Sequence, residues 1–266
     1  VSSTFNNKNV GIGKTVTVNS ITLSDGSNGG LASNYTISAG QTTTANITGK
    51  ALTVSGITAP NKTYDGNTNA PLDLSSISYS GLVSGDDIGG SFSGTFENKN
   101  IGTGKTVTIS SSYSGVDSGN YSVTDQSSTT ANITTRALTV SGLTASNKTY
   151  DATTSAALDT SSVSYAGLVS GDSFSGSYTG TFNDANVGTS KLVTISSSYS
   201  GNDINNYSIT DQSSTGADIT KASPTISGLS NQSKYSDENY TLAGVPSISG
   251  LSISYSSDDT NVANVD

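Results

Sequence analysis

The chain of 266 residues carries a formal net charge of −9 with a sequence pI ≈ 4.2, and its 11 basic residues are scattered, which excludes a nucleic-acid or anionic-membrane partner that needs clustered Lys and Arg. It has no Cys, which excludes disulfides and thiol chemistry, and no run near the ~18 apolar residues of a membrane span. With 32% hydrophobic and 7% aromatic residues, each interior must be small and thin, so the length points to several modest domains.

Residues 1–49 read as the C-terminal part of a repeating unit. The run Phe5-Asn6-Asn7-Lys8-Asn9-Val10-Gly11 returns as Phe96-Glu97-Asn98-Lys99-Asn100-Ile101-Gly102 and as Phe182-Asn183-Asp184-Ala185-Asn186-Val187-Gly188. Because the chain opens inside a repeat and contains no Met, Val1 is expected not to be a natural start. The first copy has five extra residues around Ser24 to Gly30, a composition suited to a hairpin tip that tolerates insertion.

Residues 50–135 and 136–221 read as two complete copies. Asn61-Lys62-Thr63-Tyr64-Asp65-Gly66 returns 86 residues later as Asn147-Lys148-Thr149-Tyr150-Asp151-Ala152, and the same step relates Tyr35 (after its insertion), Tyr121 and Tyr207. Within each copy, short runs such as Leu52-Thr53-Val54 and Val107-Thr108-Ile109 alternate apolar with polar residues, the pattern of half-buried strands. Turn formers such as Ser84-Gly85-Asp86-Asp87 and Val116 to Asn120 separate them. One helical or 3₁₀ turn is expected over Asp73 to Ile77, and no longer amphipathic helix. Only Thr134 to Ala137 separate Ile133 from Leu138, leaving neighbouring units little slack.

From Gly228 on, the register fails. Residues 222–266 read as the start of a different Ig-like or MBG-type module. The expected class is all-β, a tandem array of small β-sandwich-like domains, Ig-like or β-grasp-like, in an elongated rod.

Several residue patterns have a chemical reading and a structural one. Gly102-Thr103-Gly104-Lys105-Thr106 ends like a phosphate-binding loop, but the earlier Gly is missing and a strand follows, so a hairpin turn is expected. The recurring Asp65/Asp151, Asp73/Asp159, Asp86/Asp172, Asp117/Asp203 and Asp125/Asp211 lack the ligand density of a Ca²⁺ loop and read as turn caps. Lys62/Lys148 and Lys105/Lys191 invite an internal Lys–Asn or Lys–Asp amide crosslink, which wants a buried carboxylic acid nearby. Tyr64/Tyr150, Tyr121/Tyr207 and Phe96/Phe182 suit inward-facing core aromatics better than a glycan-binding strip. No nucleophile, base and orienting group recur together, so no enzyme activity, cofactor or metal is expected.

Five spaced blocks resemble the YDG repeat of large bacterial surface proteins, a family that includes haemagglutinin-like adhesins: Lys62 to Gly66, Gly81 to Asp86, Gly94 to Val107, Asn120-Tyr121, and Thr130 to Ile133. The second complete copy departs at Ala152. The resemblance covers roughly residues 1–221 and marks Lys62, Thr63, Tyr64, Asp65, Lys148, Thr149, Tyr150 and Asp151 as the structural repeat motif. It implies a non-catalytic stalk or spacer, a monomeric rod on a bacterial cell surface or secreted, with adhesion or biofilm ligands met by other parts of the protein. The alternative is a carbohydrate- or protein-binding module with affinity of its own.

Overall fold

The computed structural model describes residues 1–227, 244–246 and 252–254, and it is all-β. Most of residues 222–266, where the sequence suggests a different module, lies outside the described residues. By contacts the chain divides into two compact units. Unit 1 comprises 1–138, 166–175 and 200–209; unit 2 comprises 139–165, 176–199 and 210–266.

Unit 1 opens with a three-stranded antiparallel sheet of β1 (Ser2–Phe5), β2 (Gly11–Ser20) and β3 (Thr42–Ile47). It continues with β4 (Lys50–Ser55), β5 (Lys62–Thr63), β6 (Asn69–Ala70), β7 (Ser78–Ser80), β8 (Gly89–Phe96), β9 (Gly102–Ser114), β10 (Tyr121–Thr124) and β11 (Ser128–Thr134). These eight strands form two sheets. One has the order β10-β4-β7, with β10 parallel to β4; the other has the order β5-β11-β9-β8-β6, with β5 parallel to β11.

The strand alternation read from sequence sets the packing. In β4, Leu52 and Val54 point inward and are buried, while Ala51 and Thr53 are exposed. Val54 packs with Ile57 and with Ile109 of β9, flanked by Tyr79 of β7, Phe92 of β8 and Val123 of β10, so one core joins both sheets. This is a small sandwich, and fully burying residues such as Leu52 or Val107 contributes ~1.5–3 kcal/mol each.

In the following copy the strands recur at 86-residue steps: β12 (Arg136–Ser141), β14 (Lys148–Thr149), β15 (Ser155–Ala156), β17 (Ser164–Ala166), β18 (Ser175–Phe182), β19 (Gly188–Ser200), β20 (Tyr207–Thr210) and β21 (Ser214–Thr220). Two short strands, β13 (Thr144–Ala145) and β16 (Leu158–Asp159), pair with each other in unit 2. The five-stranded sheet there has the order β14-β21-β19-β18-β15, and it buries Phe182, Val193 and Ile219 with Ala156 and Ala217. A last pair, β22 (Ile226–Ser227) with β23 (Val245–Pro246), is antiparallel.

The sequence reading of Gly102 to Thr106 as a hairpin turn needs correction, because the segment lies inside β9. It forms a bulge opposite Ala131 to Ile133 of β11, with Gly104 at φ 60 and its N–H donated to Asn132 Oδ1 at 2.7 Å. Ser190 takes the same place in β19 at φ 47, donating to Asp218 Oδ1 at 2.7 Å. The extra residue is thus paid for by a side-chain acceptor on the neighbouring strand. Asp73 to Ile77 does form one turn, closed by Ile77 N–H to the Leu74 carbonyl at 3.1 Å.

Candidate functional site

The motif lysine pins its own loop. Lys62 Nζ bonds Asp65 Oδ1 at 2.8 Å and the carbonyls of Asn67 and Asn69 at 2.8 and 2.9 Å, and it stands 5.5 Å from the centre of the Phe96 ring. Lys148 repeats the arrangement with Asp151, Thr153, Ser155 and Phe182. Thr63 and Thr149 hold the parallel strand register with Thr134 and Thr220. Asp65 also accepts the Asn67 N–H, and Asp151 accepts that of Thr153, so both carboxylates cap the turn as expected. Bonds from the Lys148 ammonium and the Thr153 N–H hold the Asp151 carboxyl down at about 2.

Asp73 and Asp159 likewise cap turns, through the N–H groups of Ser75 and Ser161. Asp125 and Asp211 accept the hydroxyls of Tyr113 and Tyr199. The remaining carboxylates do something that sequence reasoning did not find. Within unit 1, Asp172 and Asp203 receive the ammonium of Lys99, at 2.8 and 2.9 Å. Asp86 and Asp117 receive Lys8 in the same way, at 2.7 and 2.8 Å.

Each lysine comes from one copy of the repeat and each carboxylate pair from the next, so these are joints between successive copies. The second Asp of each pair also accepts a backbone N–H of the Asp86/Asp172 loop, from Asp87 at 3.0 Å and from Ser173 at 3.2 Å. Beside the lysine, an Asn seals the backbone. Asn120 Oδ1 accepts the Val10 N–H at 2.9 Å, and Asn206 Oδ1 accepts that of Ile101 at 3.0 Å. The bond at Val10 is exposed and the one at Ile101 half-buried, so the second is the better shielded from water.

The tyrosines complete the joints: Tyr64 and Tyr207 are buried, as the inward-facing reading expects, and Tyr121 is half-buried. Tyr121 Oη donates to Asp86 at 2.6 Å and accepts the Val83 N–H at 3.0 Å; Tyr207 does the same with Asp172 and Val169. Tyr64 is fully buried, yet its hydroxyl reaches the next copy, donating to Asp172 Oδ2 at 2.7 Å. Its ring meets Tyr207 edge-on at 5.6 Å and lies 5.8 Å from Lys99 Nζ. Phe96 and Phe182, by contrast, are core residues, as expected. Tyr150 is 37% exposed.

The electrostatics follow from this geometry. Burial pushes the Asp172 carboxyl up, but hydrogen bonds from Lys99, Tyr207 and Tyr64 outweigh it and hold the group below the usual carboxylate range. Asp86 is lowered by Lys8 and Tyr121, and Asp117 by Lys8 and the Asp87 N–H. The lysines move up correspondingly, Lys8 through Asp117 and Asp86, Lys99 through Asp172 and Asp203. Burial and the Asp172 bond raise the Tyr64 phenol.

For the crosslink idea, Lys105 Nζ lies 2.8 Å from Asn98 Oδ1 and 3.4 Å from Glu97, whose side chain is exposed; Lys191 meets Asp184 at 2.6 Å. Among the described residues, no group of three or more His, Cys, Asp or Glu is placed to hold a metal ion, and no helix is long and apolar enough to cross a membrane.

Sequence alone offered one signal for the joints. Lys8 and Lys99 recur within Asn-Lys-Asn, and the position becomes Ala185 in the last copy. A protein-family model described as YDG domain matches residues 1–45, 48–131 and 134–215. No curated protein and no solved structure matches the chain.

Proposed function

Because the chain belongs to the YDG domain family, we propose that it is a non-catalytic spacer in the stalk of a bacterial cell-surface adhesin, exported from the cell and holding a binding region away from it. Recognition of host or bacterial ligands, and any role in biofilm, then belongs to other parts of the protein. The observation that carries this reading is the repetition of one joint. Lys8 with Asp86, Asp117, Asn120 and Tyr121, and Lys99 with Asp172, Asp203, Asn206 and Tyr207, hold successive copies by the same polar contacts. A stalk needs such joints, since stiffness is lost wherever neighbouring modules swing freely. The conserved spacing of the copies serves length, and the joint residues serve alignment.

A second reading, a carbohydrate- or protein-binding module, draws on a cavity of about 450 Å³ lined by Leu23, Leu31, Tyr35 and Ile37 in the first copy. Glycan and protein arrays probed with the full chain separate the two. A spacer shows no saturable binding, whereas saturable binding to one sugar or protein class favours the module.

A further inference from the structure

Strand β8 runs beside β9 along its whole length, from Gly89 opposite Ser114 to Phe96 opposite Val107, with no shift in register. On its other side β6 pairs only with Gly94 and Thr95. One bond fixes the direction of the remaining backbone groups. Phe96 donates its N–H to the Thr68 carbonyl at 2.8 Å, on the β6 side, and successive residues of a strand turn their N–H and C=O groups to opposite edges. Gly90 and Phe92 therefore turn theirs outward, and among the described residues nothing bonds them there. Gly89, Gly90, Ser91 and Ser93 are exposed.

The next copy has the same edge. β15 pairs only with Gly180 and Thr181 of β18, and Phe182 donates its N–H to the Thr154 carbonyl at 2.8 Å. The outward groups of Gly176 and Tyr178 have no partner among the described residues. This opening is not a place kept for an adjacent copy, because β8 has a complete copy after it and β18 a complete copy before it, and both edges stay open. Proteins ordinarily blunt such an edge with Lys, Pro, a bulge or an inward charge. Residues 88–96 and 173–182 contain no Asp, Glu, Lys, Arg or Pro, in a chain of net charge −9, and β8 has no bulge.

We propose that the outer edge of β8, with that of β18, is a lateral contact through which two of these chains pair strand against strand, antiparallel. A two-fold axis at Ser91 sets Gly90 against Phe92 of the second chain, and Phe92 against its Gly90. Each chain then donates two N–H groups and accepts two, with the strands ~4.8 Å apart. Identical edges are self-complementary in this arrangement. Only Ser91 meets its own copy, with Cα atoms ~4.5 Å apart, and its small side chain stands on the solvent face while Phe92 packs against the Val54, Ile57 and Ile109 core. Gly90-Ser91-Phe92 and Gly176-Ser177-Tyr178 share one register, so β8 of one chain also fits β18 of another. The occupant is a second copy of this chain, since the edge has no charge with which to select a charged peptide and its pattern recurs on each complete copy. β6 confines the contact to a short stretch, which makes it a weak one between rods that are otherwise separate. The inference rests on the spacer reading only for its setting, chains standing side by side on a surface.

Sedimentation equilibrium of the full chain at up to ~1 mM tests the contact. The parent should show a mass rising toward the dimer with concentration. Ser91→Lys with Ser177→Lys sets like charges face to face at every pairing of β8 and β18, as does Ser91→Asp with Ser177→Asp, and each should weaken association by about tenfold. An equimolar mixture of the Lys and Asp chains should recover the dimer, because opposite charges then meet across the axis. A parent that stays monomeric, variants that associate as the parent does, or a mixture no different from its components overturns the proposal. Amide signals offer an independent measurement on the parent alone. Shifts with concentration centred on Gly90, Phe92, Gly176 and Tyr178 support the edge contact, and shifts centred elsewhere, or none, overturn it. The arrays test the spacer reading through foreign ligands, so its failure is distinguishable from failure of the edge contact.

Discussion

Replacing Lys99 by Ala gives the second joint the residue that the following copy carries at 185. Asp172, whose side chain is 2% exposed, would keep two tyrosine hydroxyls but lose its cation, with the Asp203 carboxylate still beside it. Removing one partner of a buried ion pair costs ~3–5 kcal/mol. Lys99 is 36% exposed, so water screens part of the interaction, and the two hydroxyls soften the rest, leaving ~2 kcal/mol. That corresponds to roughly 30-fold in the opening equilibrium of the joint. Amide hydrogen exchange reads it directly at Ile101, Val169 and Ser173, whose N–H groups are held there. The Ile109 N–H, bonded to the Ser127 carbonyl inside the sandwich, serves as the control and should not change. Adding Asp172→Asn to Lys99→Ala should recover part of the loss, because a neutral amide needs no cation. Unchanged exchange at the joint, or equal acceleration at Ile109, would refute the reasoning.

Tyr64→Phe removes one of three donors to Asp172 and should cost ~1–2 kcal/mol in urea unfolding; a variant as stable as the parent would contradict the role given to that hydrogen bond. Gly66→Ala should destabilise by at least ~1–2 kcal/mol for the left-handed backbone alone, with the close approach to Val169 added, whereas Ala152→Gly, relieving φ 61, should gain ~1 kcal/mol. Asp86, Asp117 and Asp172 have folded pKa values depressed below 3.8, so their contribution is complete above pH 3.8 and is lost as pH falls through the lower folded values. Protection of the joint amides, taken relative to the intrinsic exchange rate at each pH, should therefore fall only in that acid range, and a loss of protection near neutrality would be inconsistent. Burial pushes the Tyr207 phenol up to about 12 from 10.0, so its contribution is whole below pH 10.0 and disappears as pH rises through about 12, which tyrosinate absorbance follows in the parent against Tyr207→Phe.

The strands were legible because their information is local. Alternation in Leu52-Thr53-Val54 and in Val107-Thr108-Ile109 predicts which side chains are buried, and Leu52 and Val107 are fully so. The turn caps at Asp73 and Asp159 were legible for the same reason, since the N–H groups they accept lie two residues away. The joint was not, because its partners are far apart in sequence. Tyr64 and Asp172 are separated by 108 residues, and nothing in the spacing says which face a buried tyrosine turns toward. The bulge at Gly104 was misread because Gly-Thr-Gly looks like a turn. What keeps it inside β9 is an acceptor 28 residues away, Asn132. The change from Lys99 to Ala185 was visible in the sequence, but its meaning appears only once the two carboxylates are seen around the lysine.

Small-angle scattering from the full chain, with Lys99→Ala alongside, bears most directly on a spacer built from clasped copies. A compact globule of this length has a radius of gyration of about 18 Å. The spacer reading predicts a clearly larger radius and a rod-like distance distribution for the parent, with a broadened distribution for the variant. A radius near the globular value, or profiles for parent and variant that superimpose, would contradict it.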